Sequence, residues 1–305
     1  MNILLAGGSG FIGTRLVEAL LGRGDQVTVI TRDPAGEQSR RRPGLAYRGW
    51  LPSLDGYDAV VNLSGTNLFG QRWDAAFKAQ IRDSRIDTTR RLVNAIRAAR
   101  VPPKVFVNGS AIGIYGDRGD EPLPETAAPG DDFLARVCLA WETEALKCPV
   151  RTVLLRTGVV LGPGGGALQQ MLPPFRFGLG GPIGFGGQHF SWIHIDDEVG
   201  LILHALDDDG LSGPLNAVAP GVVTNKQFTK ALGRVLRRPT LFPVPTPALR
   251  LMLGEVAGLL TASQRCVPAV AEGRGYVFRH PEIEGALREI LSPAGNGADA
   301  GGQAA

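Results

Sequence analysis

Seven residues near the N-terminus, Gly7-Gly8-Ser9-Gly10-Phe11-Ile12-Gly13, have the spacing that lets a backbone cradle a diphosphate. Each glycine has its own task. Gly7 permits a tight turn, Gly10 lets the backbone approach a pyrophosphate, and Gly13 lets a helix pack closely on a sheet. The N–H groups of the helix start, Phe11 and Ile12 among them, would bind phosphate charge. A second group of interest ends the next apolar run, Ile30-Thr31-Arg32-Asp33. An acidic side chain here would bind the ribose 2′-hydroxyl of NAD. Arg32 instead suits a 2′-phosphate, which it can pair with while stacking on adenine. NADP (NADPH) is therefore the favoured cofactor, and Asp33 leaves NAD open.

These groups need a frame. Residues 2–6, Val27-Thr28-Val29-Ile30, Asp58 to Leu63, Val105-Phe106-Val107 and Val153-Leu154-Leu155 read as short buried strands. Helical patterns alternate with them: Phe11, Ile12, Leu16 and Leu20 after the first, and a long stretch from Trp73 to Ala99. Such alternation predicts an α/β fold, a doubly wound parallel sheet covered on both faces, with a smaller, mostly helical C-terminal region. The expected domains are 1–161, which binds a dinucleotide, and 162–291, a glycine-rich lid with a substrate-side and C-terminal region; 292–305 reads as a disordered tail. The stretch Gly162 to Gly187 reads as a functional loop. Helices are expected from Asp196 to Leu206, with Asp196 as N-cap, and from the capping-box spacing at Thr224 to Gln227. Asp131 and Asp132 are expected to cap a helix starting near Phe133.

The chain has 305 residues, 44% of them hydrophobic, with a net charge of +3. That excludes a disordered chain and a disulfide-stapled mini-protein. No stretch reaches the roughly 18 uninterrupted apolar residues of a membrane span. The basic run Arg40-Arg41-Arg42 reads as a solvated loop, so neither nucleic acid nor membrane is an expected partner. The three cysteines lack metal-site spacing, no metal is expected, and a reducing cytoplasm fits the absence of a secretion signal. A small-molecule substrate and a monomer or homodimer complete the expectation.

GGSGFIG, Asn62-Leu63-Ser64-Gly65 and Ser191-Trp192-Ile193-His194-Ile195-Asp196-Asp197 resemble the extended short-chain dehydrogenase/reductases. Arg72-Trp73, Ser84-Arg85, Gly130 to Leu134, Cys138 with Trp141-Glu142, and Leu155 to Gly162 narrow the likeness. They are similar to an atypical "epimerase family" branch, that of YfcH and SDR39U-type proteins, across about residues 1–291. The resemblance implies that Asn62, Ser64 and Gly65 lie beside the adenine and ribose, and Asn108, Gly109 and Ser110 face the nicotinamide. It further implies that Arg156, Thr157, Gly158 and Val159 flank nicotinamide and substrate.

The usual acid/base pair of that superfamily is Tyr-x-x-x-Lys, one helical turn apart so that the ammonium lowers the phenol pKa. None of the four tyrosines has it: Leu51, Val61, Gly119 and His280 stand four residues after them. Alignment on Trp141-Glu142 puts Leu134 and Cys138 at the two positions. Ser110, five residues before Tyr115-Gly116, is then the candidate to hydrogen-bond a substrate oxygen. Tyr115 or an ordered water would supply the proton, with Cys138 as a weaker alternative and His194 as a structural residue. Two functions are compatible with these residues: an NADP(H)-dependent oxidoreductase or nucleotide-sugar-epimerase-like enzyme acting on a small carbonyl or hydroxyl compound, or a non-catalytic NADP(H)-binding sensor or scaffold.

Overall fold

The structure is a computed structural model that describes residues 1–37 and 42–292. Arg40, Arg41 and all of the C-terminal tail except Ser292 lie outside them. In chain order the elements begin with β1 (Asn2–Ala6), α1 (Phe11–Gly22), β2 (Gln26–Ile30), β3 (Leu45–Arg48), β4 (Ala59–Asn62), α2 (Ala75–Arg97) and β5 (Val105–Ala111). Next come β6 (Pro122–Leu123), α3 (Phe133–Ala145), β7 (Arg151–Thr157), β8 (Val159–Leu161), α4 (Gly166–Arg176), β9 (His189–Phe190), β10 (Trp192–His194) and α5 (Ile195–Asp207). The last are β11 (Gly213–Ala217), β12 (Val223–Thr224), α6 (Asn225–Leu236), α7 (Thr246–Leu253), α8 (Ala257–Thr261), β13 (Arg265–Cys266), α9 (Ala269–Gly273) and α10 (Ile283–Ile290).

Two compact units share the chain. The first holds Met1–Ile114, Asp131–Arg156 and Val199–Leu215; the second holds Tyr115–Gly130, Thr157–Glu198 and residues from Asn216 on. In place of one boundary after residue 161, the chain passes between units after Ile114, Gly130, Arg156, Glu198 and Leu215. The reason is topological: β11, far along the sequence, is an edge strand of the main sheet.

The first unit is built on the expected doubly wound parallel sheet, with seven strands in the order β11-β7-β5-β4-β1-β2-β3. Its strands are apolar almost throughout, as strands buried on both faces must be: Ile3, Leu4 and Leu5 of β1 and Ala59, Val60 and Val61 of β4 are fully buried. One core packs Leu4, Val60 and Phe106 of the sheet against Leu92 and Ile96 of α2. Phe77 and Ile81 of α2 pack on Val137 of α3 in another. β3, which the sequence pattern does not reveal, pairs with β2 in parallel as a four-residue edge strand. Asp132 caps α3 by accepting the Ala135 N–H at 2.8 Å.

In the second unit, Gly162 to Gly187 is not one long loop. Leu168, Leu172 and Phe175 recur at helical spacing, and α4 buries them against Trp192, Phe228 and Leu287. That burial holds α4 together although Pro173 and Pro174 lie inside it. Thr224 and Gln227 form the expected capping box at the start of α6. α5 starts one residue earlier than expected, at Ile195. Its cap is not Asp196: His194 Nδ1 accepts the Asp196 N–H at 3.1 Å, so the preceding imidazole does the capping. Among the described residues, no helix is long and apolar enough to cross a membrane.

Candidate nucleotide and active site

Parallel register aligns the ends of the central strands. Ile30 pairs with Ala6, Ala6 with Asn62, and Asn62 with Asn108, so these four residues form one row across the sheet. The segments that leave this row therefore emerge along one edge and carry Arg32, the Gly7 loop, Ser64 and Ser110. Between β1 and β4 the strand order reverses, which is where an open α/β sheet leaves a crevice for a ligand.

The two loops at that reversal touch. A Cβ on Gly7, whose φ is +86°, would lie 2.6 Å from the Leu63 carbonyl carbon. A Cβ on Gly13 would lie 2.2 Å from the Gly7 oxygen. Gly10 differs: it is exposed, and its nearest neighbour to such an atom is the Gly7 oxygen at 3.3 Å. Beyond its chain neighbours, no other atom of the described residues comes within 4 Å of that position, and no side chain caps α1. The N–H groups of its first turn, including those of Phe11 and Ile12, thus stand at the crevice without a side-chain acceptor, as an anion site requires. Arg32 is exposed just past β2. Asp33 turns back on its own loop, where Oδ1 accepts the Gly36 N–H at 2.9 Å.

Asn62 does not present its side chain to the crevice. It is fully buried and donates to Thr89 at 3.0 Å and to Asn108 at 2.8 Å, while its oxygen accepts from the Ser64 hydroxyl at 2.5 Å. Asn62 shapes the loop that carries Ser64 and Gly65. Ser84 and Arg85 brace the same loop from α2: Ser84 Oγ accepts the Thr66 N–H, and Arg85 donates to the Thr66 carbonyl. Thr89 is a residue that sequence reasoning misses. It joins Asn62, Asn108 and Trp141, whose Nε1 donates to it at 2.8 Å. A mid-helix threonine, here the second of the pair Thr88-Thr89, gives no sequence signal of such a role.

Ser110, Glu142 and Arg156 form one buried cluster. The Ser110 hydroxyl donates to Glu142 Oε1 at 2.6 Å. Arg156 grips both Glu142 oxygens at 2.9 Å, and all three side chains are nearly solvent-free. Arg156, expected beside the cofactor, is instead the internal counter-ion of Glu142. Cys138 is buried on α3, and desolvation pushes its thiol up to about 12, although Arg85 pulls the other way. Such a thiol holds its proton and does not act as an acid near neutral pH.

The second unit holds the other expected residues. Tyr115 is fully buried, and its hydroxyl donates to Asn216 Oδ1 at 2.7 Å. It is a packed core group whose hydroxyl is already engaged. Gly158 passes so close to Ser191 that a Cβ would lie 2.8 Å from its carbonyl oxygen, and Val159 pairs with Trp192. The Thr157 hydroxyl donates to Glu198 at 2.7 Å. Glu198 is fully buried, its Oε2 has no hydrogen-bond partner among the described residues, and burial raises its pKa to about 8.

Residues 3–217 match the profile of the NAD dependent epimerase/dehydratase family. The chain belongs to that family. Residues 244–290 match a domain of unknown function, DUF1731. The chain is 41% identical over 300 residues to the epimerase family protein SDR39U1 of Bos taurus, covering 96% of this chain and 100% of that protein. The crystal structure of human SDR39U1 (isoform 2) with NADPH superposes with a TM-score of 0.87 at 39% identity, over 95% of this chain and 99% of that one. A nucleoside-diphosphate sugar epimerase from Corynebacterium glutamicum superposes with a TM-score of 0.75 at 33% identity, over 98% of this chain and 59% of that one. The expected atypical extended short-chain dehydrogenase/reductase branch is confirmed.

The buried charges make two testable demands on stability. Glu142→Ala leaves the Arg156 guanidinium buried without its counter-ion and should cost about 3–5 kcal/mol in denaturant unfolding. Replacing both residues by apolar ones, Glu142→Leu with Arg156→Met, should recover most of that loss; a double variant as unstable as Glu142→Ala would refute the ion-pair explanation. Glu198 loses its proton at 4.5 when unfolded but only at about 8 when folded. The folded state therefore holds one more proton between those values, and stability contributed below 4.5 is lost as pH rises to about 8. Glu198→Gln should flatten that slope and be the more stable protein at pH 8, as read from melting temperatures across the range.

Proposed function

We propose that this protein is an NADP(H)-dependent oxidoreductase or epimerase-like enzyme acting on a small carbonyl or hydroxyl substrate. One observation carries the cofactor reading. Past β2 the exposed cation Arg32 stands on the ligand edge, while the adjacent carboxylate of Asp33 is taken by the Gly36 N–H. A 2′-phosphate suits that arrangement better than a bare ribose hydroxyl. NADPH in the human SDR39U1 crystal structure supports the same choice.

The Gly7–Gly13 loop and the start of α1 would hold the diphosphate, Arg32 the 2′-phosphate, and Ser64 and Gly65 the adenosine side. When bound, the dinucleotide supplies or accepts a hydride, so the hard chemistry is its own. The chain's part is positioning. Because the Ser110 hydroxyl donates its hydrogen bond to Glu142, its lone pairs are left to accept. Ser110 thus favours a substrate hydroxyl or an amide N–H over a bare carbonyl oxygen. With Tyr115 and Cys138 both withdrawn into packing, an ordered water is the remaining proton source. Losing general acid/base help costs about 10²–10⁴-fold, which slows a hydride-transfer enzyme without abolishing it. The same withdrawal of Tyr115 and Cys138 favours a second reading, an NADP(H)-binding sensor or scaffold.

Arg32→Ala should weaken NADPH binding by about 1.5–3 kcal/mol and leave NADH nearly unchanged in calorimetric titrations. Equal losses for the two cofactors would remove Arg32 from cofactor choice. On any substrate that turns over, Ser110→Ala should lower kcat/KM roughly 10-fold, and Cys138→Ser should not. A broad panel of carbonyls and alcohols giving no change in NADPH or NADP would put the binding-protein reading first.

A further inference from the structure

In the second unit, four metal-binding side chains from separate segments converge. His194 ends β10, Asp196 opens α5, His280 precedes α10, and Glu289 lies in its last turn. One ligand atom from each lies within 4.8 Å of all the others. We propose that His194, Asp196, His280 and Glu289 form a binding site for a divalent transition-metal ion of the zinc class.

The donor set fits that class. Two imidazoles and two carboxylates give the mixed nitrogen and oxygen ligands that zinc accepts in tetrahedral geometry. Such ligand atoms sit ~3.4 Å apart around an ion bound at 2.0–2.1 Å. Nδ1 of His280 is already 3.3 Å from Glu289 Oε2, and Nδ1 of His194 is 3.9 Å from Asp196 Oδ2. Closing the remaining gap falls to the carboxylates, whose side chains are 42% and 54% exposed and can move.

The imidazoles are the more buried half. His194 is 2% exposed at the end of its strand. Since its Nδ1 accepts the Asp196 N–H, that nitrogen is unprotonated, which is the state a metal ligand needs. Ligation would redirect the lone pair from a single neutral N–H to the ion, a small sacrifice against two charged ligands. His280 is held by its backbone: its N–H donates to Asp197 Oδ2 at 2.9 Å, the Arg279 N–H donates to Asp197 Oδ1 at 2.8 Å, and Asp197 is fully buried. The two rings lie 3.8 Å apart between centroids, closer than the ~5 Å of two imidazoles on one tetrahedral ion, so they would open on binding. An ion here would tie the β10–α5 junction to α10 and so fasten the C-terminal segment within this unit.

The test uses the tag-free full-length protein, stripped with a chelator and titrated with zinc chloride, then with cobalt chloride. One saturable site, a higher melting temperature with zinc, and the visible absorption of tetrahedral cobalt are expected. His280→Asn and Glu289→Gln should each weaken zinc at least 10-fold, while Arg288→Gln, next to the site but outside the ligand set, should not. If His280→Asn fails to fold, Glu289→Gln answers alone, because its side chain is exposed. No saturable binding, or binding unchanged in Glu289→Gln, overturns the proposal.

Discussion

Taking an arginine and a glutamate out of water is costly unless each satisfies the other, and the site-bearing unit depends on one such pair. Glu142 of α3 and Arg156 of β7 meet through two 2.9 Å contacts with almost no solvent access. Neither charge tolerates the loss of its partner, so helix and strand are locked in one register. The pair also orients its neighbour, because Glu142 accepts the Ser110 hydroxyl hydrogen bond at 2.6 Å. The hydroxyl at the ligand edge is thereby oriented as an acceptor.

That orientation bears on the missing acid/base pair. Leu134 is buried against Gly113, and Cys138 is a buried thiol whose pKa desolvation raises although Arg85 pulls it down. A helix face that would carry a phenol and an ammonium in related folds is here apolar. One turn on stands the polar Glu142, paired with Arg156 of β7. Asn62, Thr89, Asn108 and Trp141 form a second buried network, which fixes the loop after β4 from below. Fully satisfied networks of this kind rigidify a site without contacting a ligand.

The second unit uses buried carboxylates differently. Asp197 accepts from the Tyr276 hydroxyl and from two backbone N–H groups, which pins the chain ahead of α10. Glu198, one residue later, receives the Thr157 hydroxyl alone among the described residues, and its burial raises its pKa to about 8. Two adjacent buried acids thus differ in surroundings: Asp197 receives three donors and Glu198 one among the described residues.

Much of this was legible in the residues. The glycine spacing, the apolar strands and the alternating helices specify the parallel sheet, because period and turn chemistry are local. The caps at Asp132 and Thr224 were readable for the same reason: a cap is satisfied within three residues. β3 escaped notice because four residues at a sheet edge carry little periodicity, and α4 was hidden by Gly and Pro although its buried face has helical spacing. Only the tertiary structure decided what Ser110, Tyr115, Asn62 and Arg156 do. Each has a partner 14 to 101 residues away, beside the shorter-range contacts of Asn62 with Ser64 and of Tyr115 with Pro124. Whether a polar side chain faces a ligand or spends its hydrogen bonds inside the protein depends on that distant partner, and residue type and spacing do not encode it.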